Sequence, residues 1–157
     1  MTKKFVEASR NLKPDAKFNS KLVTKFINCM MWQGKKSTTQ QIFYDAMDVI
    51  SKQKKDVNPL EVFEKAMDNV KPLIEVRSKR VGGASYQVPM QVNPVRQQSL
   101  AIRWILAASR GRKGKPMCEK LAAELLEAFE GRGGAMSTRE NIHKMADANK
   151  AFAHFAW

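Results

Sequence analysis

Cysteine, histidine and acid are scarce in this chain, and each scarcity removes a class of function. The 157 residues include two cysteines and two histidines. Cys29 and Cys118 lie far apart with no Cys-x-x-Cys pair, which excludes a disulfide scaffold and leaves reduced, buried thiols of a cytoplasmic protein as the expectation. His143 and His154 share one predicted helix without an acid or sulfur companion at ligand spacing, so no metal is expected. No apolar run approaches the ~20 residues that cross a bilayer. The opening, Met1-Thr2-Lys3-Lys4-Phe5-Val6-Glu7, lacks the apolar stretch of a secretion signal, and no membrane partner is expected.

Catalytic signatures are missing as well. There is no Gly-x-Ser-x-Gly turn and no serine or cysteine set beside a histidine and a carboxylate. Gly111-Arg112-Lys113-Gly114-Lys115 lacks the spacing of a phosphate loop and follows a predicted helix rather than a strand. The sequence therefore predicts no catalytic residue, no cofactor and no small-molecule substrate: not an enzyme.

What is abundant is positive charge. Lys and Arg total 28 against 15 Asp and Glu, a net charge of +13. Such an excess repels itself in a compact state and calls for a polyanionic partner. The cations are also concentrated. Residues 1–36 carry a net +7 and residues 71–115 a net +9, with Glu75 the single acid among ten cations; residues 37–70 and 116–157 are close to neutral. Two basic segments folded onto one side would make one anion-binding face. Phosphate contacts are accordingly assigned to Lys3, Lys4, Arg10, Lys17, Lys21, Lys25, Lys35 and Lys36 in the first segment. In the second they fall to Arg96, Arg103, Arg110, Arg112, Lys113 and Lys115. Lys35 and Lys36 precede a predicted helix start, where unpaired N–H groups favour an anion. Arg96, Arg103 and Arg110, spaced by about two turns, form a row on one helix.

The length fits a single domain, residues 1–157, and hydrophobic residues at 43% are enough for a packed core. Residues 1–17 have no apolar periodicity and read as a basic arm that folds on binding. From Asn19 or Ser20 the apolar spacing turns helical, with Leu22, Val23, Phe26, Ile27 and Met30, and the helix is expected to stop near Gly34. Ser37 with Gln40 reads as a capping box for the second helix. Asn58-Pro59-Leu60-Glu61 opens the third, and Asn93-Pro94 the fourth. A fifth spans about 117–130, and Ser137-Thr138-Arg139-Glu140 reads as the capping box of a last helix over 137–157. Trp104 falls on the apolar side of the fourth helix and is expected in the core.

Between the third and fourth helices, residues 73–91 alternate as two strands around Gly82-Gly83. Arg77, Lys79, Arg80, Val81, Gly82, Gly83 and Tyr86 make this a cationic ribbon of the width that enters a nucleic-acid groove. Tyr86 either stacks on a base or packs against the partner strand. The predicted architecture is mainly α: a six-helix bundle with one protruding two-stranded β-hairpin. The charge alone suits an RNA-binding protein or a DNA-binding architectural protein with its ribbon in a groove.

The run from Glu75 to Pro89, Glu-Val-Arg-Ser-Lys-Arg-Val-Gly-Gly-Ala-Ser-Tyr-Gln-Val-Pro, resembles the hallmark of the small-subunit ribosomal protein seven family. Pro14-Asp15-Ala16-Lys17-Phe18, Gly34-Lys35-Lys36-Ser37, Leu100-Ala101-Ile102-Arg103-Trp104-Ile105 and Ala148-Asn149-Lys150-Ala151-Phe152-Ala153-His154-Phe155 carry the same resemblance, in order, across nearly the whole chain. The resemblance implies a structural constituent of the small (30S) ribosomal subunit that is a primary binder of 16S-type rRNA in its 3′ major domain and nucleates assembly of the head. It implies a hairpin near exit-site tRNA and the mRNA path at the subunit interface. Neighbouring head and platform proteins, the ninth and eleventh among them, are the implied protein partners, and the cytoplasmic ribosome the implied location.

Overall fold

The computed structural model describes residues 12–155. Lys3, Lys4 and Arg10, and the end of the 137–157 segment at Trp157, lie outside the described residues. Among those described, six α-helices run in the order α1 (Lys21–Met30), α2 (Lys36–Gln53), α3 (Pro59–Val70), α4 (Pro94–Gly111), α5 (Met117–Phe129) and α6 (Gly134–Ala148). Two antiparallel strands, β1 (Ile74–Val81) and β2 (Ala84–Gln91), stand between α3 and α4. A short 3-10 turn, Lys150–Phe155, follows α6. The mainly helical fold with one hairpin in that position is the predicted one.

Each helix hides the stripe its spacing dictates. Val23, Phe26, Ile27 and Met30 of α1 meet Phe43, Ala46, Met47 and Ile50 of α2 and Val62, Phe63, Ala66, Met67 and Val70 of α3 in one core. Phe26, Phe43 and Phe63 sit at its centre with ring centroids 5.2–5.7 Å apart, in the tilted and edge-on geometries that aromatic quadrupoles favour. Helix α5 runs through the bundle, touching α2, α3, α4 and α6, and buries Leu121, Ala122, Leu125 and Ala128. Trp104 is half-buried against this core, as its position predicted.

The helix starts separate the local signals from the tertiary ones. Asn58 and Asn93 cap α3 and α4 as expected, accepting from the N–H groups of Leu60 (3.0 Å) and Val95 (3.4 Å). The two serine boxes do not form. Helix α1 ends at Met30 rather than near Gly34, and left-handed Gln33 (φ 53) and Gly34 (φ 73) turn the chain so that α2 begins at Lys36. Ser37 lies inside the first turn, and the Gln40 amide is drawn away to Asp15 (3.3 Å) and Tyr44 (2.6 Å). Helix α6 starts at Gly134, three residues before Ser137. Its N-terminus is capped from another helix: the buried Glu124 Oε1 of α5 accepts from the Ala135 N–H at 2.8 Å. Gly133, at φ 98, allows this approach, because a Cβ there would meet Glu124 and Glu127 at 3.1 Å. The last helix also ends at Ala148 and gives way to the 3-10 turn, instead of continuing as the 137–157 reading expected.

The arm reading needs a similar correction at its end. Residues 12–17 are held to the body by Asp15, whose buried carboxylate accepts from the Lys17 and Phe18 N–H groups (3.0 and 3.2 Å) and from the Tyr44 hydroxyl (2.9 Å). An aspartate bonding its own downstream backbone makes a turn, and the tyrosine anchors that turn on α2.

The hairpin pairs Ile74 with Gln91 through Val81 with Ala84 in unbroken register. Gly82 (φ 57) and Gly83 (φ 88) form its two-residue reversal, a loop whose two positive φ angles match the twist of the strands.

Candidate nucleic-acid interface

The assigned cations separate into those spent on the protein itself and those left to solvent. Arg112 is the clearest of the first kind. Its guanidinium reaches Glu124 Oε2 at 2.6 and 3.0 Å and Glu127 Oε1 at 3.0 Å. The guanidinium pKa is raised above its ordinary value, chiefly by the bond to Glu127; burial opposes the shift and the bond to Glu124 adds to it. Since Glu124 is 1% exposed, this cluster fixes the α4–α5 junction and the start of α6. One arginine between two carboxylates leaves no positive surplus for a phosphate, so Arg112 is a structural cation despite lying in a basic run.

Glu75 does the same at the hairpin root. Buried at 7% exposure, it accepts from Arg77 Nε at 2.6 Å and from Arg96 Nε at 2.7 Å. The single acid of the 71–115 segment therefore ties β1 to the first turn of α4. Arg77 and Arg96 keep partial exposure, and the trio still carries one net positive charge. Lys17 pairs with Asp48 (3.2 Å) and lies over the Tyr44 ring, and Lys25 donates to Gln98 (2.7 Å).

The arginine row of α4 thus divides. Arg96 turns to the hairpin, whereas Arg103 and Arg110 line one hollow of about 360 Å³ with Cys29, Ser99 and Leu106, where α1 and α4 meet. Arg110 also borders a second hollow of about 410 Å³, lined by Met30, Trp32, Lys35, Ile42 and Met117. It donates to the Met30 carbonyl (3.0 Å) and stacks over the Trp32 ring at 4.9 Å from its centroid. Beyond Lys35, Lys36 lies with Lys13 and Gln40 around a smaller recess of about 120 Å³. Lys13, Lys36, Lys35, Arg110 and Arg103 accordingly follow one another over a connected surface of α1, α2 and α4. The two basic segments of the sequence meet there.

Lys21, Lys35, Lys36, Arg103, Lys113 and Lys115 are exposed, and their side chains make no ion pair or hydrogen bond to another described residue. The N-terminus of α2 has no side-chain cap, so its first N–H groups remain beside Lys35 and Lys36, in a field that favours an anion. Trp32, 68% exposed, was not singled out by sequence reasoning. Its signal was present: a tryptophan off the apolar stripe, two residues before Gly34-Lys35-Lys36.

On the hairpin the three cations also differ. Strand alternation sets Glu75, Arg77 and Lys79 on one face, opposite Met90, Val88 and Tyr86. Lys79 Nζ donates to the Phe155 carbonyl at 2.8 Å. Arg80 lies on the other face, exposed beside Ser78, Ser85 and Gln87, and Val81, Gly82 and Gly83 form the tip. Tyr86 has a partner that neither expectation named. It packs on Phe152 and Phe155 of the C-terminal turn, with centroids 5.2 and 5.1 Å away. His143 accepts from the Leu73 N–H at 3.3 Å through Nε2, and the His154 ring lies against Phe155.

Known proteins resemble this chain over nearly its whole length. Residues 2–150 match the family model described as ribosomal protein S7p/S5e. The small ribosomal subunit protein uS7 of Rhodopirellula baltica is 65% identical over 144 residues, covering 91% of this chain and 92% of that protein. The uS7 protein of Nitratiruptor sp. is 56% identical, covering 94% of this chain and 95% of its own length. That of Desulfotalea psychrophila is 52% identical over the full length of both. With a family match over nearly all residues and relatives matched almost end to end, the chain belongs to the ribosomal protein S7p/S5e family, whose members are structural ribosomal proteins rather than enzymes.

Proposed function

We propose that the protein is a structural constituent of the small ribosomal subunit and a primary binder of 16S-type rRNA. In this reading it holds the 3′ major domain and nucleates assembly of the head. The observation that carries it is the connected row Lys36, Lys35, Arg110 and Arg103, where both basic segments converge around Trp32. Cations with no carboxylate partner among the described residues, set beside apolar hollows, suit folded RNA, whose phosphates crowd at junctions and whose unstacked bases offer flat apolar faces. Duplex DNA keeps its bases stacked and offers only their groove edges between evenly spaced phosphates.

The hairpin tip, from Arg80 to Gly83, stands apart from that row and is proposed to lie near exit-site tRNA and the mRNA path. Neighbouring head and platform proteins, the ninth and eleventh among them, complete the proposed set of partners. The test is competition binding of the full chain at moderate salt to a 3′ major-domain rRNA fragment and to duplex DNA of equal length, together with sedimentation of cell extract. Retention on the rRNA and co-sedimentation with small subunits are expected. Equal affinity for the duplex, with absence from the particles, would favour the architectural DNA-binding reading instead.

A further inference from the structure

A two-stranded ribbon with no further strands is marginal in water, so something other than its own ladder must set the direction of this one. Its root is incompletely filled. A hollow of about 260 Å³ lies between the hairpin and the end of α6, lined by Ile74, Pro89, Met90, Ala146, Lys150 and Ala153. Beyond the root, the ribbon is touched along β2 by the 3-10 turn Lys150–Phe155.

That contact is made by a matched pair. Lys79 and Tyr86 stand directly opposite each other in the ladder, so their side chains leave the same face. Both grip the same turn. Tyr86 packs against both Phe152 and Phe155, and Lys79 donates to the Phe155 backbone carbonyl at 2.8 Å. The two phenylalanine rings are nearly parallel, at 14°, and His154 lies over Phe155 with centroids 4.1 Å apart. The turn thus gathers its rings at a single point on the ribbon, the sixth of the eight cross-strand pairs counted from the root.

We propose that the C-terminal turn is a latch that aims the hairpin, with Tyr86, Phe152 and Phe155 as its positioning residues. The latch acts on direction and spread rather than on the fold of the body, because none of its aromatic residues belongs to the core cluster. Glu75, through Arg77 and Arg96, and the packing of β1 on α6 pin the root, and the latch pins the ribbon two pairs below its tip. Two fixed points define a direction where one leaves a hinge. Removing the upper point leaves the ladder paired but free to swing over the unfilled hollow. The inference concerns the aim of the ribbon and stands whether or not its tip meets RNA.

The test uses the full chain without RNA, with Cys29→Ser and Cys118→Ser and spin labels at Ala84→Cys near the turn and Glu64→Cys on α3. Pulsed dipolar spectroscopy on the parent should give one narrow distance distribution. Phe152→Ala with Phe155→Ala should widen it at least about twofold, since a ribbon released at one of two points samples collective swinging. Helical circular dichroism should stay unchanged. Tyr86→Ala, which leaves the C-terminal turn's own residues in place, should widen it similarly, and Tyr86→Phe should restore the narrow form. Hydrogen exchange of the 74–91 ladder should quicken at least about tenfold in Tyr86→Ala, the loss expected from two aromatic contacts, with the amides of α5 as an unmoved reference. An unchanged width in both the double variant and Tyr86→Ala would overturn the latch.

Discussion

The helical body and the hairpin carry the same kind of charge and use it oppositely. On the body, Lys35, Lys36 and Arg103 sit on a rigid bundle with no partner among the described residues. On the hairpin, Arg77 is bound to Glu75 and Lys79 to the C-terminal turn, and Arg80 is left facing solvent. A cation already paired with a buried carboxylate offers little new electrostatic gain to a phosphate, whereas an unpaired one on a fixed helix costs little reorganisation. Charge density read from sequence therefore overstates the ribbon and understates the body. In the proposed reading the body is the anchor, and the ribbon is an aimed projection.

The largest effect should come from the body's own packing. Phe63 is fully buried among Phe26 and Phe43, so Phe63→Ala should cost about 3–5 kcal/mol in chemical denaturation and carry the hairpin down with the bundle. Next is the internal cluster at Glu124. Glu124→Ala should cost about 1–3 kcal/mol by leaving Arg112 with Glu127 alone and removing the cap of α6. Glu124→Ala with stability within error of the parent would return Arg112 to the set of available cations and break the division drawn here.

Smaller changes sharpen the contrast in binding. Arg96→Ala should weaken rRNA binding and also loosen the hairpin root, because the residue serves both Glu75 and the α4 surface. Hydrogen exchange at Val76 and Val88 against that at Leu125 separates the two consequences. Arg80→Ala should be the mildest, within about 0.5 kcal/mol of the parent in stability. Its effect should appear in crosslinking of the hairpin tip to tRNA or mRNA on the subunit, and in little else.

Much of this was legible in the sequence because the signals were local. The apolar stripe of α3, its Asn58-Pro59 start and the glycine pair of the hairpin depend on residues within a few positions of one another, and they formed as read. The failures share a cause, which is that a distant group outcompeted a local one. Gln40 left its capping box for Asp15 and Tyr44, and Glu124 capped α6 from another helix, making the serine box unnecessary. Tyr86 found its partners in the C-terminal turn, some seventy residues on. Lys35 of the first basic segment and Arg110 of the second line one hollow. Which cations remain available depends on Glu75, Glu124 and Glu127, whose reach appears only once the chain is folded. Asp15 turned the last residues of the supposed arm into an anchored turn by the same means.

The central claim, that affinity for rRNA resides on the helical face and not on the ribbon, is tested most directly by the salt dependence of binding to the 3′ major-domain fragment. Each phosphate contact contributes about 0.7–0.9 to the slope of log affinity against log salt. Lys35→Ala, Lys36→Ala and Arg103→Ala combined should lower that slope by about 2 to 3, with folding intact by circular dichroism. Arg80→Ala should lower it by less than about 1. A slope unmoved by the triple change but halved by Arg80→Ala would contradict the account and make the ribbon the anchor.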